Sequence, residues 1–333
     1  MSILAKKYFS DEAAAFRHLE TLLWPDGPVC PHCGTVDNAG RLAGVRSKPS
    51  KKNPDGALRH GLWKCYAREC RKQFTVKVGT VFEDAHLPLH KMLQAVHLLC
   101  SSKKGFSSHQ LSRILECDYK TAWFLAHRIR EAMRDGVLAP MGGNGQIIEA
   151  DETFIGRVTG VPYSRGTAHK NVVLTLVERG GSARSFHIES TSIADIAPIV
   201  RQNVRRESRF MTDEARHYME MGREFKGGHG AVNHAKDEYV RYEQPITGEP
   251  ELMISTNTVE GFYSIFKRGM KGIYQHCSEK HLHRYLAEFD FRYSNRVRLG
   301  VDDQDRAAKA LQGIVGKRLT YRDPAERQTG IAG

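Results

Sequence analysis

Two groups of residues carry chemistry by their type and spacing. Cys30 and Cys33 stand in CPHCG, a C-x2-C knuckle whose Gly34 permits a sharp turn, and Cys65 and Cys70 stand in WKCYAREC as a wider C-x4-C pair. Four thiolates aimed at one centre suit tetrahedral Zn(II), and a full set of four leaves no open position for water, so the expected role of this metal is structural. His32 lies between two better ligands and is expected to be exposed. The second group is acidic: Asp151 in IIEADETFIG, Asp213 in FMTDEARHY and Glu260 in NTVEGFYSIFKRG. Each sits where an apolar run stops or turns. Two Mg(II) ions need oxygen ligands on rigid elements, and two strand carboxylates with one from a helix can hold the ions about 3.5–4 Å apart. Such a pair clamps the attacking and leaving oxygens of an in-line phosphoryl displacement. Lys267 follows Glu260 by seven residues, so on a helix it returns to within about 20° of the same face and about 10 Å along the axis, in reach of a phosphate. Asn257, three residues before Glu260, is either the N-cap of that helix or a second oxygen ligand, the cap being preferred. The bland reading of any one acid is a solvated charge or a cap, and Glu149, Glu152 and Glu214 compete with the three chosen.

These residues must be held by elements of very different character. Up to about Val81 the apolar runs are short and are interrupted by the loop-like insert GVRSKPSKKNPDGALRHG, so this part needs metal energy to fold. From Pro88 to about Arg134 the period turns helical, with PLHKMLQAVHLLCSS, SSHQLSRILEC and YKTAWFLAHRIREAM as three helices. MGGNG at Met141 to Gly145 marks a boundary. Beyond it QIIEADETFIG reads as a strand, NVVLTLVE and ARSFHIES as a hairpin around Gly180 and Gly181, and SIADIAPIVRQNVRRES as a helix capped by Thr191 or Ser192. SRFMTDE is a short strand ending in acid; a polar, Gly- and His-rich segment runs from Gly222 to about Pro250. Helices over STNTVEGFYSIFKRGMKG and SEKHLHRYLAEFDFRYSNR follow. The expected division is a helix and zinc ribbon over 1–82, a helix-turn-helix-like DNA-binding segment over 85–140, a catalytic domain over 145–299 and a polar appendage over 300–333. The fold class is therefore α/β, more fully an α+β multidomain chain.

Within the helical segment, Leu111, Ile114 and Leu115 are expected to face a core, and Asp118 to cap the next helix. That helix buries Ala122, Leu125, Ile129 and Met133, leaving Lys120, His127, Arg128 and Arg130 as a basic remainder that can meet a phosphate backbone or a major groove. An ordinary helical hairpin with a solvated basic face is the plainer alternative.

Composition agrees with a nucleic-acid partner. Among 333 residues, Lys and Arg outnumber Asp and Glu by 50 to 38, a formal charge of +12, with a pI near 9.4. The chain lacks an apolar run of about 18 residues, and its first twenty residues carry Asp and Glu and read as an amphipathic helix, so a membrane protein and a classical secreted protein are disfavoured. Seven cysteines, four of them in two close pairs, favour a reducing cytosol and a metal over a disulfide scaffold. Cys100, Cys117 and Cys277 read as core or half-buried thiols.

Taken together, these motifs resemble the DDE transposases of insertion sequences, specifically the IS1595 (ISXO2-like) family. The resemblance is carried by CPHCG with WKCYAREC, KQFTVKVGTVFEDAHLPLHKML, TAWFLAHRIR, IIEADETFIGR, FMTDEARHY, VNHAKDEYVR and NTVEGFYSIFKRGMKGIYQHCSEKHLHRYLAEFDFRYSNR, in family order from about Cys30 to Arg296. It implies an RNase H-like catalytic domain, an order with which the strand-strand-strand-helix-strand reading agrees. It also implies Mg(II) or Mn(II) dependence, with Asp151, Asp213 and Glu260 as the metal-binding acids and Lys267 in the E-x6-K position. Arg268 and Lys271, beside Lys267, join the expected DNA-binding residues. The implied partners are double-stranded DNA, as terminal inverted repeats and target, and further copies of the chain in a homodimer or larger synaptic assembly. The implied setting is a prokaryotic cytoplasm, at the nucleoid. A non-joining nuclease of the same fold and a zinc-ribbon, helix-turn-helix regulator with a decayed acidic domain are the rivals.

Overall fold

The computed structural model describes residues 2–320 apart from Lys52, Asp135, Val137 and 245–250, and apart from the side chains of Arg216 and His217. The chain divides into two compact units. The first holds residues 1–101, 108–133 and the chain from 303; the second holds 102–107 and 134–302.

In the first unit, Asp11 caps α1 (Glu12–Leu23) by accepting the Ala14 amide at 2.6 Å, and the helix buries Ala15, Phe16 and Leu19. The short strands β1 (Ala39–Arg41), β2 (Trp63–Cys65) and β3 (Gln73–Phe74) form an antiparallel sheet in that order. Its core is small: Cys30, Cys65 and Phe74, with Trp24 and Trp63 packed against them. Buried Glu20 of α1 accepts hydrogen bonds from Trp63 Nε1 at 2.9 Å and from Arg41, tying helix to ribbon.

The three expected helices follow as α2 (Leu89–Ser101), α3 (Ser108–Leu115) and α4 (Tyr119–Met133). Two expectations about them are corrected. Ile114 does not face a core; its side chain is 47% exposed while Leu111 and Leu115 are buried. Nor are His127, Arg128 and Arg130 a solvated basic face, because α4 is buried on all sides from Leu125 onward. Arg130 is 0% and Arg128 8% exposed, and His127 is buried. The chain absorbs these side chains itself: Arg128 lies 4.8 Å from the Phe124 ring centroid and donates to the Glu83 carbonyl at 2.9 Å. Of the four basic residues expected on α4's DNA-facing side, Lys120 is exposed.

The second unit is built on a five-stranded mixed sheet in the order β6-β5-β4-β7-β8. β4 (Ile147–Ile155), β5 (Asn171–Glu178) and β6 (Ala183–Ile188) are antiparallel neighbours. The chain then passes through α5 (Ile193–Asn203), capped by Ser192, to β7 (Arg209–Thr212), which lies parallel to β4. After α6 (Arg216–Gly222), β8 (His229–Ala231) adds in parallel beside β7. β9 (Val240–Glu243) pairs antiparallel with β10 (Leu252–Ser255), which leads into α7 (Asn257–Gly269) and then α8 (Glu279–Ser294). The segment read as polar from Gly222 thus contributes two strands; residues 245–250 of it lie outside the described residues.

Strand alternation sends side chains to two cores. Ile148, Ala150, Leu174 and Leu176 pack with Ile196, Val200 and Tyr218 of α5 and α6. Ile155, Val173 and Val177 pack on the other face with Val259, Phe262 and Phe266 of α7 and Leu286 and Phe289 of α8. Gly105 is required within this unit: it has φ +108°, and a Cβ there would meet Tyr274 Oη at 2.1 Å.

Beyond residue 300 the expected polar appendage is replaced by structure. α9 (Asp303–Gln312) belongs to the first unit, where Arg306 donates to the Cys100 carbonyl at 2.8 Å and to Asp303 at 2.6 Å, and Ala310 and Leu311 are buried. Its apolar positions are too few to stand out from the surrounding charge. Residues 321–333 of that expectation lie outside the described residues. Among the described residues no helix is long and apolar enough to cross a membrane.

Candidate metal centres and active site

The two cysteine pairs converge. Cys30 Sγ lies 3.7 Å from Cys70 Sγ, and Cys33 Sγ lies 3.7 Å from Cys65 Sγ. All four sulfurs fall within 4.8 Å of one another. A tetrahedron of thiolates at about 2.3 Å from Zn(II) has edges of about 3.8 Å, so the cage fits the ion. Knuckle and ribbon contribute unequally. The Thr35 hydroxyl, 3.3 Å from Cys33 Sγ, and the Thr35 backbone hold the Cys33 thiol down at about 6, whereas burial pushes Cys65 up to about 12.

The acids occupy the second unit. Asp151 stands in the middle of β4, Asp213 directly after β7, and Glu260 in the first turn of α7. β4 and β7 are parallel neighbours, and α7 packs on the β4 face that carries Asp151. Asp151 senses the other two acids electrostatically. Burial, then Glu152, then Asp213 and Glu260, push the Asp151 carboxyl up to about 7. Asp213 Oδ1 accepts the Ala215 amide at 3.0 Å and Asp151 Oδ1 the Glu152 amide at 2.8 Å, which fixes both carboxylates. Among the described residues only the cysteine cage draws its ligand atoms within 4.8 Å of one another, so the three carboxylates share this region without closing to that spacing; carboxylate oxygens on rigid elements are the donor type that a hard divalent cation such as Mg(II) takes.

Lys267 lies on the same stripe of α7 as Glu260 and Tyr263. Its Nζ is 5.7 Å from the Tyr263 ring centroid, and the Tyr263 hydroxyl bonds the Asp151 carbonyl at 2.5 Å and the Val173 carbonyl at 3.1 Å. Arg268 is exposed at the end of the same helix and Lys271 in the π-helical turn Met270–Tyr274 that follows it, with Arg268 Nε donating to the Ser264 carbonyl at 2.9 Å.

The competing acids have other work. Glu149 is fully buried and caps α7 from β4: it accepts the Thr258 amide at 2.7 Å, the Thr258 hydroxyl at 2.8 Å and the Val259 amide at 2.9 Å. Arg179 completes the clamp, donating to Glu149 at 2.6 Å, to the Met253 carbonyl at 2.7 Å and to the Ser255 carbonyl at 2.9 Å. Glu152 points to the opposite face of the sheet, where it accepts from Tyr218 Oη. Glu214 accepts the amides of His234 at 3.1 Å and Ala235 at 3.3 Å.

Asn257 is not the N-cap. It is the first residue of α7 and is exposed, Thr256 holds the cap position, and Glu149 binds the first-turn amides. Arg179, His234 and Thr256 were missed as parts of the site. His234 had a signal, as the histidine of VNHAKDEYVR. Glu149 had one too, lying two residues from Asp151 and so on the same strand face.

Comparison with known proteins covers both parts of the chain. Residues 142–294, which include Asp151, Asp213, Glu260 and Lys267, match the ISXO2-like transposase domain. Residues 10–73, which include all four cage cysteines, match the transposase zinc-ribbon domain. The chain is 23% identical over 306 residues, 86% of its own length and 92% of the relative's, to an uncharacterized protein in transposable element ISH50 of Halobacterium salinarum. The chain thus joins, in one polypeptide, the transposase zinc ribbon and the ISXO2-like transposase domain of the IS1595 family.

Proposed function

We propose that this chain is a DNA transposase that binds the terminal inverted repeats of its element, cuts at the element ends and joins them to target DNA. The observation that carries this reading is the placement of Asp151, Asp213 and Glu260 on the parallel neighbours β4 and β7 and on α7, which packs on the β4 face that carries Asp151. Asp151 and Asp213 would hold two Mg(II) or Mn(II) ions between them, and Glu260 would complete the second ion's ligands. When bound, the ions supply charge stabilisation to an in-line phosphoryl displacement.

The chain's own residues set up the rest. Lys267, half-buried against Tyr263, steers a phosphate toward the acids, and Arg268 and Lys271 extend that positive edge along exposed backbone. Glu149 and Arg179 fix the helix that carries Glu260. In the first step a water oxygen attacks the phosphodiester at the element end and the 3′-oxygen leaves as a hydroxyl. In the second that 3′-hydroxyl attacks a target phosphodiester, and the target's 3′-oxygen leaves. Each step exchanges one P–O bond for another, without a covalent link to the protein.

The zinc cage serves as the structural centre of the ribbon, which together with exposed Lys120 contributes DNA binding. Joining two element ends calls for a homodimer or larger synaptic assembly, working on DNA at the nucleoid in the cytoplasm. The test is incubation of the purified chain with labelled DNA carrying the element's flanking inverted repeat and a target plasmid, with Mg(II) or Mn(II), beside Asp151→Ala. End cleavage and joined products that vanish in the variant support the reading. Cleavage without joining assigns a nuclease, and tight binding indifferent to divalent metal, without cleavage, assigns a regulator.

A further inference from the structure

We propose that His234 is a positioning residue for the third acid, holding one oxygen of Glu260 so that the other is presented to a divalent cation. This role rests on the two-metal reading above and adds a residue to it.

The imidazole lies between two groups of the α7 N-terminus. His234 Nε2 is 3.3 Å from Glu260 Oε1 and 3.3 Å from Thr256 Oγ1, and the Thr256 hydroxyl donates to the same Glu260 Oε1 at 2.9 Å. The Thr256 hydroxyl spends its proton on Glu260, so the imidazole nitrogen facing that hydroxyl must be the donor, which selects the Nε2–H form of the ring. The ring thus holds Thr256, whose hydroxyl holds Glu260 Oε1, and Nε2 itself stands within ion-pair range of that oxygen. Ligand carboxylates oriented by such neighbours bind metal more tightly, because the rotamer that binds is already selected.

The backbone around His234 is pinned from several sides. His234 begins a single 3-10 turn, His234–Lys236, capped by Asn233 accepting the Lys236 amide at 3.1 Å. The turn's first two amides donate to Glu214, next to Asp213, at 3.1 and 3.3 Å. The Asn233 amide donates to Glu238 at 3.0 Å, and the His234 ring packs on Tyr239 with centroids 5.2 Å apart. One turn therefore links the residue beside the second acid to the side chain of the third. A histidine serving only to fill space would not need its nitrogen aimed at a carboxylate.

The experiment measures Mn(II) binding to the full zinc-loaded chain without DNA, by calorimetry or by the loss of the free Mn(II) resonance. Asp151→Ala identifies the signal of the acidic site. His234→Phe keeps the ring on Tyr239 and removes the donor; it is expected to weaken that binding about tenfold, with an unchanged metal-free melting temperature. His234→Gln, which restores an N–H, is expected to fall within about threefold of wild type. Wild-type binding in His234→Phe would overturn the proposal. Equal loss in Phe and Gln would also overturn it, making the imidazole a direct ligand. If His234→Phe melts early, the Gln variant at native stability decides between these outcomes. Absence of any Asp151-dependent Mn(II) signal in the wild-type chain would sink the two-metal reading itself, and this role with it.

Discussion

Glu149 reaches from the middle of the sheet to the first turn of α7, where its Oε2 accepts the Thr258 amide at 2.7 Å. This bond joins the strand bearing Asp151 to the helix bearing Glu260. Helix N-termini present unpaired amides and a partial positive charge, and an anion from another element satisfies both. A local cap would have set only where the helix begins. A cap supplied by β4 also sets the distance between the two acids.

Removing this cap should therefore be costly. Glu149→Ala leaves Arg179 and the Thr258 and Val259 amides without their anion in a buried site, and breaking a buried ion pair on one side costs about 3–5 kcal/mol. Urea unfolding should give a lower midpoint at unchanged slope. Glu152→Ala, on the opposite sheet face, should leave Asp151-dependent Mn(II) binding in place, whereas Glu149→Ala should lose it even under conditions where the variant is folded.

The clamp also marks where the sequence was legible and where it was not. β4 and β5 read clearly because their apolar runs are long, and Gly180 and Gly181 mark the turn from β5 into β6. The cysteine pairs read clearly because ligand spacing is local. Glu149 did not, since its partners Arg179 and Thr258 lie 30 and 109 residues away and no local pattern announces them. Arg128 and Arg130 misled for a related reason: on a helix buried all round, charge no longer marks the wet face. β8 and α9 went unread because short polar elements are held by neighbours distant in sequence.

Stripping the zinc should unfold the ribbon before the rest of the chain. Its core is little more than Cys30, Cys65 and Phe74 with flanking tryptophans. With Cys65 pushed up to about 12 in the metal-free cage, zinc must displace protons to bind. Affinity should rise with pH and zinc should leave on acidification. Native mass spectrometry should show one zinc per chain, lost in Cys65→Ser, with Trp24 and Trp63 fluorescence reporting the opening.

Asp151 makes the opposite demand on pH. A carboxyl raised in the folded state to about 7 binds its proton more tightly than in the unfolded chain, so metal-free stability is greatest at low pH. It declines as pH rises from the unfolded value, near 4, through about 7. Asp151→Asn removes that decline and should stabilise the metal-free chain at pH 8 by on the order of 1–3 kcal/mol. Divalent metal should recover the same stability in the wild type and leave Asp151→Asn unmoved. A wild-type melting temperature flat from pH 5 to 8 without metal would remove the basis for this expectation.

The basic residues should separate into those that hold the fold and those that hold DNA. Arg130 is fully buried, so Arg130→Ala should lower the melting temperature, by an amount near 2 kcal/mol of lost packing, roughly that of a truncated buried side chain. Exposed Lys120, Arg268 and Lys271 should behave in the reverse way: alanine leaves melting unchanged and weakens DNA binding at low salt. Each lost phosphate contact should flatten the dependence of log affinity on log salt by about 0.9. Titrations of labelled duplex at several salt concentrations measure that slope directly. A full wild-type slope in the triple variant would move the DNA-binding surface elsewhere on the chain, whereas a slope reduced by Arg130→Ala at native stability would bring the buried turns of α4 into the interface.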